Sequence, residues 1–157
     1  VDIDIDIPQL PSLVKRYGAG VAQIVQDEHK RAGDRAGAIV VRRMVAKVRS
    51  KRVAASLRFA TEGAGFAFET KVHTAMPLGR WLEEGTGIYG PKGAPITPKR
   101  AKVLRFEVGG QTVFARSVKG MPGDRWFMGS WEASKPEVRR EFAQVPKRIV
   151  NRITKGG

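Results

Sequence analysis

From Ser12 to about Lys51 the apolar residues fall mostly three and four positions apart, at Val14, Tyr17, Val21, Ile24, Val25, Ile39, Val40, Met44 and Val48. That spacing lines one face of a helix. Two glycines interrupt the run at Gly33-Asp34-Arg35-Ala36-Gly37, and because glycine weakens a helix interior, a kink or break is expected there. The period then changes from helical to alternating. Val53, Ala55, Leu57 and Phe59 alternate with Ala54, Ser56, Arg58 and Ala60, and beyond Glu62-Gly63-Ala64-Gly65 a second alternation aligns Phe66, Phe68, Thr70 and Val72. Two antiparallel strands are predicted.

Met76 to Glu84 reads as a short helix with Leu78, Trp81 and Leu82 on one side and Gly85 as its C-terminal stop. A long loop follows. Val103 to Val108 and Gln111 to Val118 flank Gly109-Gly110, and a two-residue turn there sets Phe106 opposite Val113 and Leu104 opposite Ala115. This makes apolar cross-strand pairs, the unit of sheet stability. After Met121-Pro122-Gly123-Asp124, a helical segment carries Trp126, Phe127 and Trp131. Ser134-Lys135-Pro136-Glu137 has the S-x-x-E form of a capping box, so a new helix is expected to start there. Its face is Val138, Phe142, Val145, Ile149 and Ile153, with a kink at Pro146.

One segment fits none of these elements. Residues 2–7 alternate Asp2, Asp4 and Asp6 with Ile3, Ile5 and Ile7, and Pro8 and Pro11 close the run. An extended conformation divides carboxylates and isoleucines between two faces. Residues 1–11 therefore read either as a frayed acidic tail or as an acidic arm, and the arm needs a basic groove to lie in. The whole pattern predicts an α+β fold in a single domain over residues 1–157: a long N-terminal helix broken near Gly33-Gly37, a small antiparallel sheet with a hairpin at Gly109-Gly110, an extended Gly/Pro loop over residues 85–101, and a kinked C-terminal helix.

Charge changes the picture. There are 29 Lys and Arg against 15 Asp and Glu, a net charge of +14, which implies an acidic partner: nucleic acid, an anionic membrane surface or an acidic protein face would each serve. The cations are clustered. Lys30, Arg31, Arg35, Arg42, Arg43, Lys47, Arg49, Lys51, Arg52 and Arg58 have only Asp34 among them, and Lys92, Lys99, Arg100, Lys102 and Arg105 form a second group. Arg42, Arg43, Lys47, Arg49, Lys51, Arg52, Lys99, Arg100 and Lys102 are the candidates for contact with DNA or an acidic partner, where binding to DNA would be salt-dependent and indifferent to sequence. The aromatics do not interleave with these charges as on a stacking platform for single strands.

The chemistry of catalysis is harder to find. The chain has no cysteine, which removes disulfides and thiolate metal sites. His29 and His73 are its two histidines and lie in no metal-ligand spacing; both read as surface or hydrogen-bonded core residues. Adjacent helical Glu83 and Glu84 point in different directions. Gly85 to Gly93 superficially suggests a phosphate loop, but Pro91 precedes Lys92 and Pro95 and Pro98 follow, so no helix begins there. No catalytic set, metal or cofactor is expected. No apolar run approaches the length of a membrane span.

Trp81-Leu82-Glu83-Glu84-Gly85-Thr86-Gly87-Ile88-Tyr89-Gly90-Pro91-Lys92-Gly93, then Pro95-Ile96-Thr97-Pro98-Lys99, Leu104-Arg105-Phe106 and Val113-Phe114-Ala115-Arg116-Ser117-Val118-Lys119-Gly120 form a pattern that resembles the tail-component family of long-tailed phages. Members of that family act as neck, tail-completion or tail-to-head joining proteins. The resemblance implies an α+β subunit without catalytic residues. It also implies a homo-oligomeric ring, hexamer favoured over dodecamer, between the head connector or head-closure protein and the tail tube, with possible contact to packaged DNA. The location implied is the virion neck, with host cytoplasm during assembly and no membrane. Subunit and partner contacts are then expected from Trp81, Glu83, Glu84, Gly85, Thr86, Gly87, Ile88, Tyr89, Gly90, Pro91, Lys92, Pro95, Ile96 and Pro98. One departure stands out: Ser50-Lys51-Arg52-Val53 occupies the place where many members have a proline, an acidic residue and Thr-Gly.

Overall fold

The computed structural model describes residues 15, 18–64 and 67–155. The Asp/Ile segment with Pro8 and Pro11, the helix start at Ser12 with Val14 and Tyr17, and Phe66 lie outside those residues. The fold is α+β, with a long helix early in the chain, two separate two-stranded antiparallel sheets and a kinked C-terminal helix. It falls into two compact units, one formed by residues up to Ala75 together with Gly129 onward, the other by Met76–Met128.

In the first unit, helix α1 runs Ala19–Lys47 without interruption, so the break expected at Gly33 and Gly37 does not occur. The glycines serve close approach instead. A Cβ on Gly33 would lie 2.6 Å from Thr61 Cγ2 and 2.7 Å from Thr70 Oγ1, and one on Gly37 would enter the ring of Phe59. Both contacts are with the strands against which α1 packs, β1 (Leu57–Ala64) and β2 (Ala67–Thr74). The helix loses propensity at these positions and gains contact with the sheet.

The alternation beginning at Val53 also resolves differently. Lys51–Ser56 forms a short helix, α2, and the strand starts only at Leu57. Ser50 is its N-cap: its hydroxyl accepts the Val53 N–H at 3.4 Å, and Val53 is fully buried. Capping thus overrides the alternating pattern in the segment that departs from the family resemblance. β1 and β2 pair antiparallel, Leu57 opposite Thr74 and Phe59 opposite Val72.

Helix α4 spans Trp126–Ala143 and α5 spans Val145–Lys155. Ser134 does not start a helix. It is buried within α4, where its hydroxyl donates to the Ser130 carbonyl at 2.7 Å, and Pro136 sits on the exposed side of the same helix. The kink falls at Gln144, and Pro146 occupies the first turn of α5, where its missing N–H costs little. Val145 and Ile149 of α5 close a core with Val21, Val25 and Ala32 of α1, and Ile24, Phe142 and Ile153 pack against it.

In the second unit, helix α3 covers Pro77–Glu84, with proline in its first turn and Gly85 at its end with φ 84°. A 3₁₀ turn follows at Gly87–Tyr89. β3 (Leu104–Val108) and β4 (Gln111–Ala115) form the expected hairpin, with Leu104 opposite Ala115 and Phe106 opposite Val113. β4 is shorter than expected, and Val118 beyond it pairs instead with Ile96.

Candidate functional site

The glycines of the Leu78 to Arg105 segment act on main chain. Thr86 N donates to the Met121 carbonyl and Ile88 N to the Lys119 carbonyl, each at 2.8 Å, and Asp124 N donates to the Leu82 carbonyl at 3.0 Å. Ile96 and Val118 exchange two further bonds, at 2.9 and 3.0 Å. The two backbones lie so close that side chains are excluded. A Cβ on Gly85 would come within 2.7 Å of Gly123 N, one on Gly87 would strike the Lys119 carbonyl, and one on Gly90 would lie 2.8 Å from the Gly85 carbonyl. Gly87 also has φ 65°, a conformation that L side chains rarely adopt.

With main chain filling the interior, the bulky side chains point outward. Trp81 is 54% exposed and Tyr89 50%, and Ile88 and Ile96 are also exposed. Pro91, Lys92 and Pro95 are exposed and Pro98 is half-buried. Phe114, on the hairpin, is the most exposed large apolar residue among the described residues, at 63%. It was detectable in the sequence, since it occupies the strand position out of phase with Phe106 and Val113.

Several expected contact residues have internal partners. The carboxylate of Glu83 accepts Phe127 N at 2.6 Å and Met128 N at 3.1 Å, and Asp124 Oδ1 accepts Trp126 N at 3.2 Å. Together they satisfy N–H groups at the start of α4 and place negative charge at its positive end. Glu84 pairs with Arg80 at 2.9 Å, and Thr86 Oγ1 accepts Met121 N at 3.0 Å. Trp126 is buried, with its indole N–H on the Gly79 carbonyl at 3.0 Å. The capping role of Glu83 left no local signal, because its targets are more than forty positions away in sequence.

The basic run of the first unit has partners that its own stretch of sequence does not supply. Arg42 and Arg43 bond the two oxygens of Glu137 at 2.7 and 2.9 Å. Arg35 bonds Glu141, which also receives Arg148. Buried Glu28 takes Arg31 at 3.3 Å and Arg152 at 3.1 Å. Hydrogen bonding from Arg148, aided by Arg35, holds the Glu141 carboxyl below the usual range against the opposing effect of burial. Arg43 and then Arg42 do the same for Glu137. Lys47 lies over Gly129. Arg49, Lys51 and Arg52 are exposed in the first unit, and Lys99, Arg100 and Lys102 in the second.

His73 is exposed. His29 is buried beside the Phe68 ring, and neither of its nitrogens has a hydrogen-bond partner, so it is not the hydrogen-bonded core histidine expected. Burial pushes its pKa below the ordinary imidazole value. Among the described residues no group of His, Asp or Glu is placed to hold a metal ion, and no described helix is long and apolar enough to cross a membrane. Compared with known families, curated proteins and solved structures, the chain has no match.

Proposed function

We propose that this chain is a non-enzymatic structural subunit of a tailed-phage neck. It forms a closed ring, hexamer favoured over dodecamer, that joins the head connector to the tail tube around the DNA channel. The observation that carries this reading is the segment from Trp81 to Ile96. Its glycine-bearing main chain is fixed by backbone hydrogen bonds, and Trp81, Ile88, Tyr89 and Ile96 are left at the surface. Rigid, exposed aromatic and aliphatic side chains are what a protein interface uses as anchors, and the same residues carry the resemblance to neck proteins. A ring needs two complementary faces on each subunit, and this surface supplies one.

Sedimentation velocity tests the reading. Copies carrying +14 each repel one another at low salt, so the chain alone associates poorly there. With the connector and tail-tube proteins of the same phage it sediments as a ring-sized complex. A strictly monomeric species beside both partners overturns the proposal.

The exposure of Lys51, Arg52, Lys99, Arg100 and Lys102 favours a second reading, a basic module that binds nucleic acid without sequence preference. Filter binding of free DNA at physiological salt separates the two. Micromolar or tighter binding supports the module, and negligible binding leaves the ring.

A further inference from the structure

The alternating segment Asp2 to Ile7 lies outside the described residues. We propose that it adds as a strand to the outer edge of β3 in a neighbouring copy of the chain, its isoleucines extending the apolar face of the hairpin and its aspartates the arginine face.

The hairpin offers an edge. β3 and β4 form a sheet of two strands, and among the described residues no third strand lies beside either. Such an edge presents N–H and C=O groups that template pairing with another chain. β3 is favoured over β4, because the main chain just beyond β4 is already paired at Val118 with Ile96.

The two faces of the hairpin differ as the two faces of the segment do. Leu104, Phe106, Val113 and Ala115 are half-buried on one face, while Arg105, Glu107, Thr112 and Phe114 are exposed on the other, with Arg105 directly opposite Phe114. An added strand sends alternate side chains to opposite faces. One register sets Asp2, Asp4 and Asp6 on the Arg105 face and Ile3, Ile5 and Ile7 beside Leu104 and Phe106. A slip by one residue reverses every side chain and sets carboxylates against the apolar face.

Glu107 is the acid on the arginine face, near the turn. The segment is therefore drawn to the opposite end of β3, which exposed Lys99, Arg100 and Lys102 precede. Pro8 ends the pairing, since it has no N–H to contribute. Assignment to a neighbouring copy rests on the ring reading: an acidic segment laid beside Lys99, Arg100, Lys102 and Arg105 of the next subunit offsets the repulsion between chains of like charge.

The test is a peptide of residues 1–11, labelled at its C-terminal end, titrated onto the full-length chain at low salt and followed by fluorescence anisotropy. Saturable binding is expected, weakened at least about tenfold by Ile5→Pro in the peptide or by Arg105→Glu in the chain. Binding to the Arg105→Glu chain returns when the three aspartates of the peptide are replaced by lysine. Equal binding of the Ile5→Pro peptide overturns strand addition, because that change keeps every charge. Absence of binding, with amides 2–7 of the dilute monomer protected from hydrogen exchange, overturns assignment to a neighbour. Absence of both binding and protection overturns the proposal outright. The assay needs neither connector nor tail tube, so its failure is distinguishable from failure of the ring reading, which appears as absence of complexes with those partners.

Discussion

The two units of the chain are held by different means. The first is a side-chain structure: Val25, Val40, Met44, Val53 and Val145 are fully buried, and Glu28, Glu137 and Glu141 tie α1 to α4 and α5 through arginines. The second buries Leu82 and Trp126 and otherwise relies on main chain bonded to main chain across glycines. A core of side chains uses up the apolar residues that build it. A core of backbone leaves them outside, and Trp81, Tyr89 and Phe114 are the result. The first unit thus keeps its largest apolar side chains inside, and the second leaves aromatic ones at its surface.

The largest effect that would break this contrast is expected at Trp126, the main side-chain anchor of the second unit. Trp126→Ala should cost about 3–5 kcal/mol in urea unfolding, through lost burial and an orphaned Gly79 carbonyl. Next comes a pair of glycines that share positive φ but differ in surroundings. Gly87→Ala meets the Lys119 carbonyl and should cost about 3 kcal/mol, whereas Gly93→Ala, with φ 59° and nothing within 4 Å, should cost only about 1 kcal/mol for the backbone conformation. Equal losses would mean that close backbone packing contributes nothing.

In the first unit, His29→Leu should raise stability by about 1 kcal/mol by removing two unpaired buried nitrogens. It should also alter the pH profile. The folded pKa of His29 lies below 6.5, so the unfolded chain binds more protons between the two values. The cost of holding the imidazole neutral is absent above pH 6.5 and grows as pH falls from there towards the folded value; the variant lacks that cost. The carboxylates act lower. Glu137 and Glu141 titrate below their ordinary 4.5 when folded, and their stabilisation disappears as pH falls through those depressed values. Thermal melts at a series of pH values check both windows. The smallest change in stability is expected at the proposed contact surface, where Tyr89→Ala should shift unfolding by no more than about 0.5 kcal/mol while abolishing the proposed association with neck partners.

Much of the fold was legible in local pattern. The hairpin register followed from Gly109-Gly110 and the alternation around it, and Gly85 ended its helix as expected. The failures share a cause. Gly33 and Gly37 looked like helix breakers because the strands they accommodate lie elsewhere in the sequence, and Ser134 looked like a cap because its buried position is set by tertiary packing. Arg42 and Arg43 looked like free cations because Glu137 is more than ninety residues away. Within the candidate site the glycines and outward aromatics were visible, while the inward role of Glu83 was not.

A photoreactive phenylalanine analogue placed at Tyr89 tests the proposed contact role of the second unit most directly. In the chain mixed with connector and tail-tube proteins, irradiation should give covalent adducts from position 89 to a second copy or to one of those partners. The same analogue at exposed Val45 of the first unit should give few. Adducts from Val45 with none from position 89 would contradict the account.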